Sequence, residues 1–371
     1  MYININISIM GKMIFITGGG TGGHLFPAIS IGEELIKRGF SIIYIGSKHG
    51  IEKKYFKKNR LTHYLLNIKG IQRNLSFKSI INNILLPFRF TISYILSIAL
   101  IKKYKPVAII GTGGYASALP LIAARHLNIP IMIQEQNSIP GITTRLMAKN
   151  AKKIFLGFKY SEKLFTSNNS IYTGNPIRKD LKILNKNECK SNLKFDKNKK
   201  LVLIIGGSQG ARPINKYINE NIDFFIKNDI QLMWQVGSLD YNTINRYNKY
   251  KNIKITEFIT DMSEAYSAAD IVVSRAGAIA ISELTFFKKA MILIPLPSAA
   301  NNHQNINANY LNERKACIII NQAELNEKKL EKTILDLLKN EKKINQLKQN
   351  ADSLSMPKAT INIINNITRS I

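Results

Sequence analysis

The stretch ITGGGTGGHLFPA, residues 16–28, sets five glycines and Thr21 around and directly before His24. Glycines after a strand let the backbone turn tightly, approach a ligand closely and aim amide N–H groups at an anion over a helix N-terminus. An imidazole at the edge of such a turn can exchange a proton near neutral pH. The alternative is a structural histidine that only caps the helix opened by Pro27. A second glycine turn, GGSQGA at 206–211, carries Ser208, and a third, GTGGYASALP, spans 111–120. Neither of the first two has the Gly-Lys-Ser/Thr of a P-loop, and no acidic residue stands at the ribose distance after the first.

The second half holds a further constellation. In DIVVSRAGAIAISELTFF, residues 270–287, a strand runs into Ser274, Arg275 and Gly277 and then a helix carrying Glu283. An arginine at a strand's C-terminal end with a helix N-terminus behind it suits a diphosphate, and a carboxylate on that helix can accept both hydroxyls of a ribose. A favourable acid near a helix start is the alternative for Glu283. NNHQNINANYL, residues 301–311, adds His303, Gln304 and Asn307 at another helix start, where ordinary capping competes.

The elements that must position these residues repeat one unit: a run of β-branched residues, a Gly-rich or polar turn, and an amphipathic stretch of helical period. KMIFIT followed by a helix over 27–38, SIIYIG (41–46), VAIIGT (107–112), IPIMIQ (129–134) and KKIFLG (152–157) form the first series. KLVLIIGG, IQLMWQVG, NIKITEF, DIVVSRAG, AMILIPLP and ACIIIN form the second. Apolar runs separated by helices imply parallel strands buried on both faces. The restart near residue 206 predicts an α/β chain of two Rossmann-like, doubly wound domains sharing a cleft, since ligands bind at strand C-terminal ends in such sheets. The Lys-rich segment 180–200 separates them and holds a short helix at most; 324–352 reads as one or two helices and the last stretch as a closing helix.

The chain has 371 residues and a formal charge of +29, which draws a protein toward phosphates, nucleic acid or an anionic membrane face. Lys, Asn and Ile are over-used throughout, so biased composition explains the charge equally well. Two distant cysteines, Cys189 and Cys317, fit a reducing compartment and neither a zinc site nor a disulfide scaffold. MYININISIMGK lacks a basic n-region and a continuous apolar run, and reads as an edge strand or lead-in rather than a signal peptide. FTISYILSIALI, residues 90–101, is too short to span a bilayer.

Taken together, GGGTGGHLFPA, GTGGYAS, QEQNSIPG, TGNPIR, GGSQGA, TEFITDM, SRAGAIAISE and HQNINA occur in the order of a known family. The sequence resembles the MurG-type transferases of bacterial peptidoglycan synthesis, glycosyltransferase family 28, from about Lys12 to the end. The resemblance implies the GT-B arrangement, with an acceptor and membrane-associating domain at 11–178, a UDP-sugar domain at 179–350, and a helix in 351–371 packing back on the first. It places donor contacts on Thr21, Gly22, Gly23, Asn137, Arg178, Ser208, Ile259, the run Ala278, Ile279, Ala280, Ile281, Ser282 and Glu283, and Gln304. In this family pattern Ile259 offers backbone groups to the uracil, Glu283 binds the ribose, Ser208 and Arg275 lie near the phosphates, and Gln304 and Asn137 hold sugar hydroxyls. Asn305 departs from members with a second glutamine after Gln304, and the first twelve residues have no counterpart.

The implied reaction moves N-acetylglucosamine from UDP to the C4 hydroxyl of undecaprenyl-diphospho-N-acetylmuramoyl-pentapeptide, with inversion, no cofactor and no metal. His24 is the first candidate for the base and Glu135 the second. No Asp-x-Asp pair stands at a strand end, in keeping with metal independence. The lipid acceptor calls for a peripheral enzyme on the cytoplasmic face of the bacterial inner membrane. Residues 68–89 mix Ile71, Leu75, Phe77, Ile80, Ile84, Leu85 and Phe88 with Lys69, Arg73, Lys78 and Arg89, a pattern that can lie on an anionic membrane surface or pack as an internal helix. Rival readings are a UDP-N-acetylglucosamine 2-epimerase, which needs extra carboxylates in the cleft, a related glycolipid transferase, and a nucleic-acid binder, for which no recognisable motif exists and nucleic acid is not an expected partner.

Overall fold

The computed structural model describes residues 11–70, 83–165, 168–207 and 209–371. The chain divides into two compact units. The first comprises the chain up to Arg178 together with Lys358–Ile371, and the second is Lys179–Pro357.

The first unit is built on a seven-stranded parallel sheet. Its strands are β1 (Met13–Thr17), β2 (Ser41–Ser47), β3 (His63–Leu66), β4 (Ala108–Gly111), β5 (Ile131–Glu135), β6 (Lys153–Leu156) and β7 (Ser170–Tyr172), in the order β3-β2-β1-β4-β5-β6-β7. Ile14 faces Ile42 on one side and Ala108 on the other, so β1 is central and its β-branched residues are buried on both faces. Strands β3 and β7 were not legible: HYLL and SIY are short edge strands of mixed character. The closing helix Ala359–Ser370 packs on helix Gly22–Lys37, where Ile363, Ile364 and Ile367 join Ile14, Leu25, Ile29 and Phe155 in one core cluster.

The first helix starts earlier than Pro27 suggests. It runs Gly22–Lys37, with Pro27 inside it. A proline lacks only its own N–H, and the carbonyl left without that donor belongs to Gly23, in the half-exposed first turn where water can serve it. The consequence is that His24 belongs to the helix's first turn rather than to the loop before it.

The second unit carries a six-stranded parallel sheet of β8 (Leu201–Ile205), β9 (Gln231–Gln235), β10 (Ile253–Thr256), β11 (Ile271–Ser274), β12 (Ala290–Leu293) and β13 (Cys317–Ile319), ordered β10-β9-β8-β11-β12-β13. The linker holds one short helix, Lys186–Asn192, whose cap residue Asn185 accepts from the amides of Asn187 and Glu188. Both sheets reverse direction of winding beside their first strand, between β1 and β4 and between β8 and β11. Ligands bind at that edge in doubly wound folds.

Candidate active site

In the first unit, three loops leave the C-terminal ends of the adjacent strands β1, β4 and β5. They bring together His24, Thr112 and Gln136. His24 Nδ1 lies 2.8 Å from Gln136 Oε1 and 3.0 Å from the Thr112 carbonyl, both of which only accept. Nδ1 of the neutral ring therefore carries the hydrogen, and Nε2 keeps its lone pair. The glycine turn at 113–114 lies against this ring: at Gly113, with φ +91°, a Cβ would stand 2.9 Å from His24 Nδ1.

Glu135 has a different environment. Oε1 accepts from the amide of Asn137 at 3.1 Å and its side chain at 3.4 Å, while Oε2 accepts from the Gly141 amide at 3.0 Å and the Thr144 hydroxyl at 2.6 Å. Four donors occupy the four acceptor positions of a carboxylate. Glu135 thus shapes the loop 136–141 and the start of helix Ile142–Met147, and it holds Asn137 by both its main and side chains. Arg178 lies over the Phe26 ring at 5.5 Å, and Asn175 of the same GNPIR segment accepts from Gln134 at 2.9 Å. Thr21 occupies the N-cap position of the first helix with no side-chain cap bond, and it, Gly22 and Gly23 reach solvent.

Two further residues of this edge escaped the sequence reading. Glu52 is fully buried and accepts from the amides of Gly20 and Ser47, both at 2.8 Å, so it ties the first glycine turn to the end of β2. The Tyr115 ring closes the turn from the other side, 2.9 Å from where a Cβ of Gly20 would stand. Burial, with the Ser47 contact opposing and Glu52 adding, pushes the Tyr115 hydroxyl above its ordinary value.

In the second unit, Gly277 sits at the N-cap of helix Ala278–Phe286, where a Cβ would meet nothing within 4 Å and no side chain caps the first turn. Uncapped amides facing open space are suited to an anion. Along that helix Ala278, Ile279 and Ile281 are buried, Ala280 is half-exposed, and Ser282 donates back to the Ala278 carbonyl. Glu283 is buried and its Oε2 accepts the Tyr266 hydroxyl at 3.0 Å. Ile259 follows β10 and is buried.

Arg275 does not stand as a bare phosphate ligand. Its Nη1 donates to the carbonyls of Ile294 and Pro295 at 3.1 and 3.2 Å, and Nη2 donates to Gln322 Oε1 at 2.7 Å. Burial pulls this guanidinium down to about 10. Arg275 braces the segment after β12, which also holds Gln304: Gln304 Oε1 accepts the Leu296 amide at 3.0 Å and leaves its NH2 as the outward face. Asn307 is buried against the Ala276 carbonyl, and His303 bonds the Ala300 carbonyl at 2.7 Å. Ser208 lies outside the described residues.

The sequence model of the glycosyltransferase family 28 N-terminal domain matches residues 14–156, and that of the family 28 C-terminal domain matches residues 201–363. The chain belongs to glycosyltransferase family 28. Among family 28 relatives, a protein of Flavobacterium psychrophilum is 37% identical over 96% of this chain and 97% of its own. One of Thermodesulfovibrio yellowstonii is 39% identical over 88% of this chain and 89% of its own. Both are named UDP-N-acetylglucosamine--N-acetylmuramyl-(pentapeptide) pyrophosphoryl-undecaprenol N-acetylglucosamine transferase. The crystal structure of Acinetobacter baumannii MurG superimposes with a TM-score of 0.76 at 25% identity, covering 97% of this chain and all of that one. The fold is that of the GT-B glycosyltransferases, and the chain is a family 28 glycosyltransferase.

One surface of the first unit is apolar. Helix Leu86–Tyr104 exposes Phe88, Ile92, Ile95 and Leu96, with Ile84 and Leu85 exposed just before it. At 100° per residue these fall within an arc of about 120°. The opposite face, with Leu86, Ser93, Ser97 and Ile101 buried, lies toward helix Tyr115–His126. No helix among the described residues is long and apolar enough to cross a membrane. Residues 71–82 of the basic, apolar stretch, with Ile71, Arg73, Leu75, Phe77, Lys78 and Ile80, lie outside the described residues.

Proposed function

We propose that this protein transfers N-acetylglucosamine from UDP-N-acetylglucosamine to the C4 hydroxyl of undecaprenyl-diphospho-N-acetylmuramoyl-pentapeptide, with inversion and without a metal. The near full-length identity to relatives bearing that name supports the substrates. The observation that carries the chemistry is the proton-bearing Nδ1 of His24, which leaves Nε2 as a base.

In this reading Nε2 takes the proton of the C4 hydroxyl as that oxygen bonds to C1 of N-acetylglucosamine. The bond from C1 to the β-phosphate oxygen breaks and its electron pair leaves with UDP. The uncapped amides at Gly277 to Ala280 meet the diphosphate charge, and the family pattern adds Ser208, Thr21, Gly22 and Gly23 as donor contacts. Arg275 supports the phosphate side by bracing the segment that carries Gln304, whose NH2 donates to a sugar hydroxyl as Asn137 does. Glu283 accepts the ribose hydroxyls, Ile259 offers backbone groups to the uracil, and Arg178 adds a cation on the donor side. Residues 11–178 serve the acceptor and the membrane, 179–350 the donor, and the closing helix stabilises the first unit.

A polyprenyl acceptor requires the enzyme to lie on a membrane. The exposed apolar face of helix Leu86–Tyr104, with Arg89 and Lys69 nearby in sequence, supports peripheral docking on an anionic surface at the cytoplasmic face of the inner membrane. The test is the product formed in EDTA from a short-chain acceptor. A β-linked disaccharide by its anomeric proton coupling supports the proposal, whereas an α-linkage or dependence on added metal contradicts it.

A further inference from the structure

The hydrogen bonds of Gln136 have a consequence for the base. Gln136 is 2% exposed, and its Nε2 lies 2.8 Å from the Thr112 carbonyl and 3.0 Å from the Gln134 carbonyl, with Gln134 Oε1 a third acceptor in contact. Three oxygens around one amide end fix its orientation. Turned over, Oε1 would face those oxygens and an NH2 would confront His24 Nδ1–H. The assignment of Oε1 toward the ring therefore follows from the protein around it.

The order extends further back. Gln134 Nε2 donates to Asn175 Oδ1 at 2.9 Å, and Asn175 Nδ2 donates to the Gln136 carbonyl at 3.0 Å. Gln134 and Asn175 are as buried as Gln136. Three amides that satisfy one another in a dry site leave a single arrangement, and polar networks of this kind hold a rigid geometry. The chain ends at His24 Nδ1, and the ring's other nitrogen is Nε2. A neutral amide fixes the ring without adding a negative charge beside the site where a diphosphate leaves.

We propose that Gln136 is the positioning residue that holds the proton of neutral His24 on Nδ1, aiming the Nε2 lone pair at the acceptor hydroxyl. This rests on His24 being the base. The Thr112 carbonyl, 3.0 Å from Nδ1, assists but is itself shared with Gln136 Nε2. Replacing Gln136 removes the nearer of the ring's two acceptors together with the donor that holds the Thr112 carbonyl.

The experiment combines 15N spectra of histidine-labelled full-length protein with steady-state kinetics, assigning the His24 signals by their loss in His24→Asn. The wild type is expected to show unprotonated Nε2 and protonated Nδ1. Gln136→Met should give a mixture of tautomers, with kcat down about tenfold or more and the KM for donor within about twofold. Gln136→Glu puts an oxygen against the three acceptors that Nε2 serves, so its carboxyl should sit there protonated, keep the Nδ1–H tautomer and leave the acidic limb of the kcat profile unmoved. Thermal melts of both variants separate these effects from misfolding. A wild-type ring protonated on Nε2, or a folded Gln136→Met with unchanged tautomer and kcat, overturns the proposal. Full activity of His24→Ala alongside the expected spectra would remove the base instead, and leave Gln136 as a determinant of the tautomer only.

Discussion

The Tyr266 hydroxyl donates to Glu283 Oε2 at 3.0 Å, inside the second unit. The contact pins a carboxylate on helix Ala278–Phe286 in one rotamer. Burying both groups is tolerable because each satisfies the other.

If Glu283 receives the ribose, Glu283→Gln weakens two charge-assisted bonds and should raise the KM for UDP-N-acetylglucosamine about tenfold or more. Tyr266→Phe, which only frees the carboxylate to move, should raise it a few fold, about 1 kcal/mol. Initial-rate kinetics over a range of donor concentrations measure both. A change confined to kcat would place Glu283 elsewhere in the reaction.

His24 and Glu135 separate by their surroundings, and their variants should separate too. His24→Ala should lower kcat by about 10²–10⁴-fold while the protein melts normally. Glu135→Gln puts an NH2 among four donors and should cost about 1–3 kcal/mol of stability, with the pH profile of the remaining activity unmoved. Wild-type turnover in His24→Ala, or a lost acidic limb in Glu135→Gln with an unchanged melt, would reverse the assignment.

Much of the architecture was legible because parallel strands buried on both faces advertise themselves as β-branched runs, and eleven of the thirteen described strands lie on segments chosen that way. HYLL and SIY stayed hidden because an edge strand needs few apolar residues. Pro27 misled because proline is tolerated in a helix's first turns as well as at its start. At the site, residue type pointed to His24 and Glu283, but the partners that give them their properties come from other segments of the chain. Gln136 and Tyr266 lie 112 and 17 residues away from the groups they hold. Arg275 shows the converse: a good phosphate ligand by type, it is engaged by carbonyls that only the fold brings near.

The second unit contains a buried lysine whose charge opposes folding. Lys289 Nζ donates to the Ala269 carbonyl at 2.9 Å, and burial, with Lys348 adding and Asp270 opposing, pulls it down to about 7. In the unfolded chain a lysine keeps its proton to about pH 10.4. Between these values the unfolded state binds more protons, so this group's contribution to stability rises with pH, by about 1 kcal/mol per unit. Lys289→Met should therefore raise the thermal midpoint more at pH 6.5 than at pH 9. Equal gains at both would show that Lys289 is not depressed.

The exposed face of helix Leu86–Tyr104 makes a prediction about membranes. Phe88→Ser combined with Ile92→Ser and Ile95→Ser should reduce sedimentation with vesicles containing anionic lipid by about tenfold or more, without shifting the melt, since these side chains bury little within the protein. Wild-type binding that ignores anionic lipid content, or a triple variant that binds as well, would remove this face from the docking surface.

UDP release from UDP-N-acetylglucosamine by the purified protein in EDTA, with and without a short-chain lipid-linked muramoyl-pentapeptide, tests the transferase most directly. Release that requires the acceptor and persists in EDTA is the predicted result. Release that is indifferent to the acceptor, or conversion of the donor to another hexosamine isomer, would contradict the transferase.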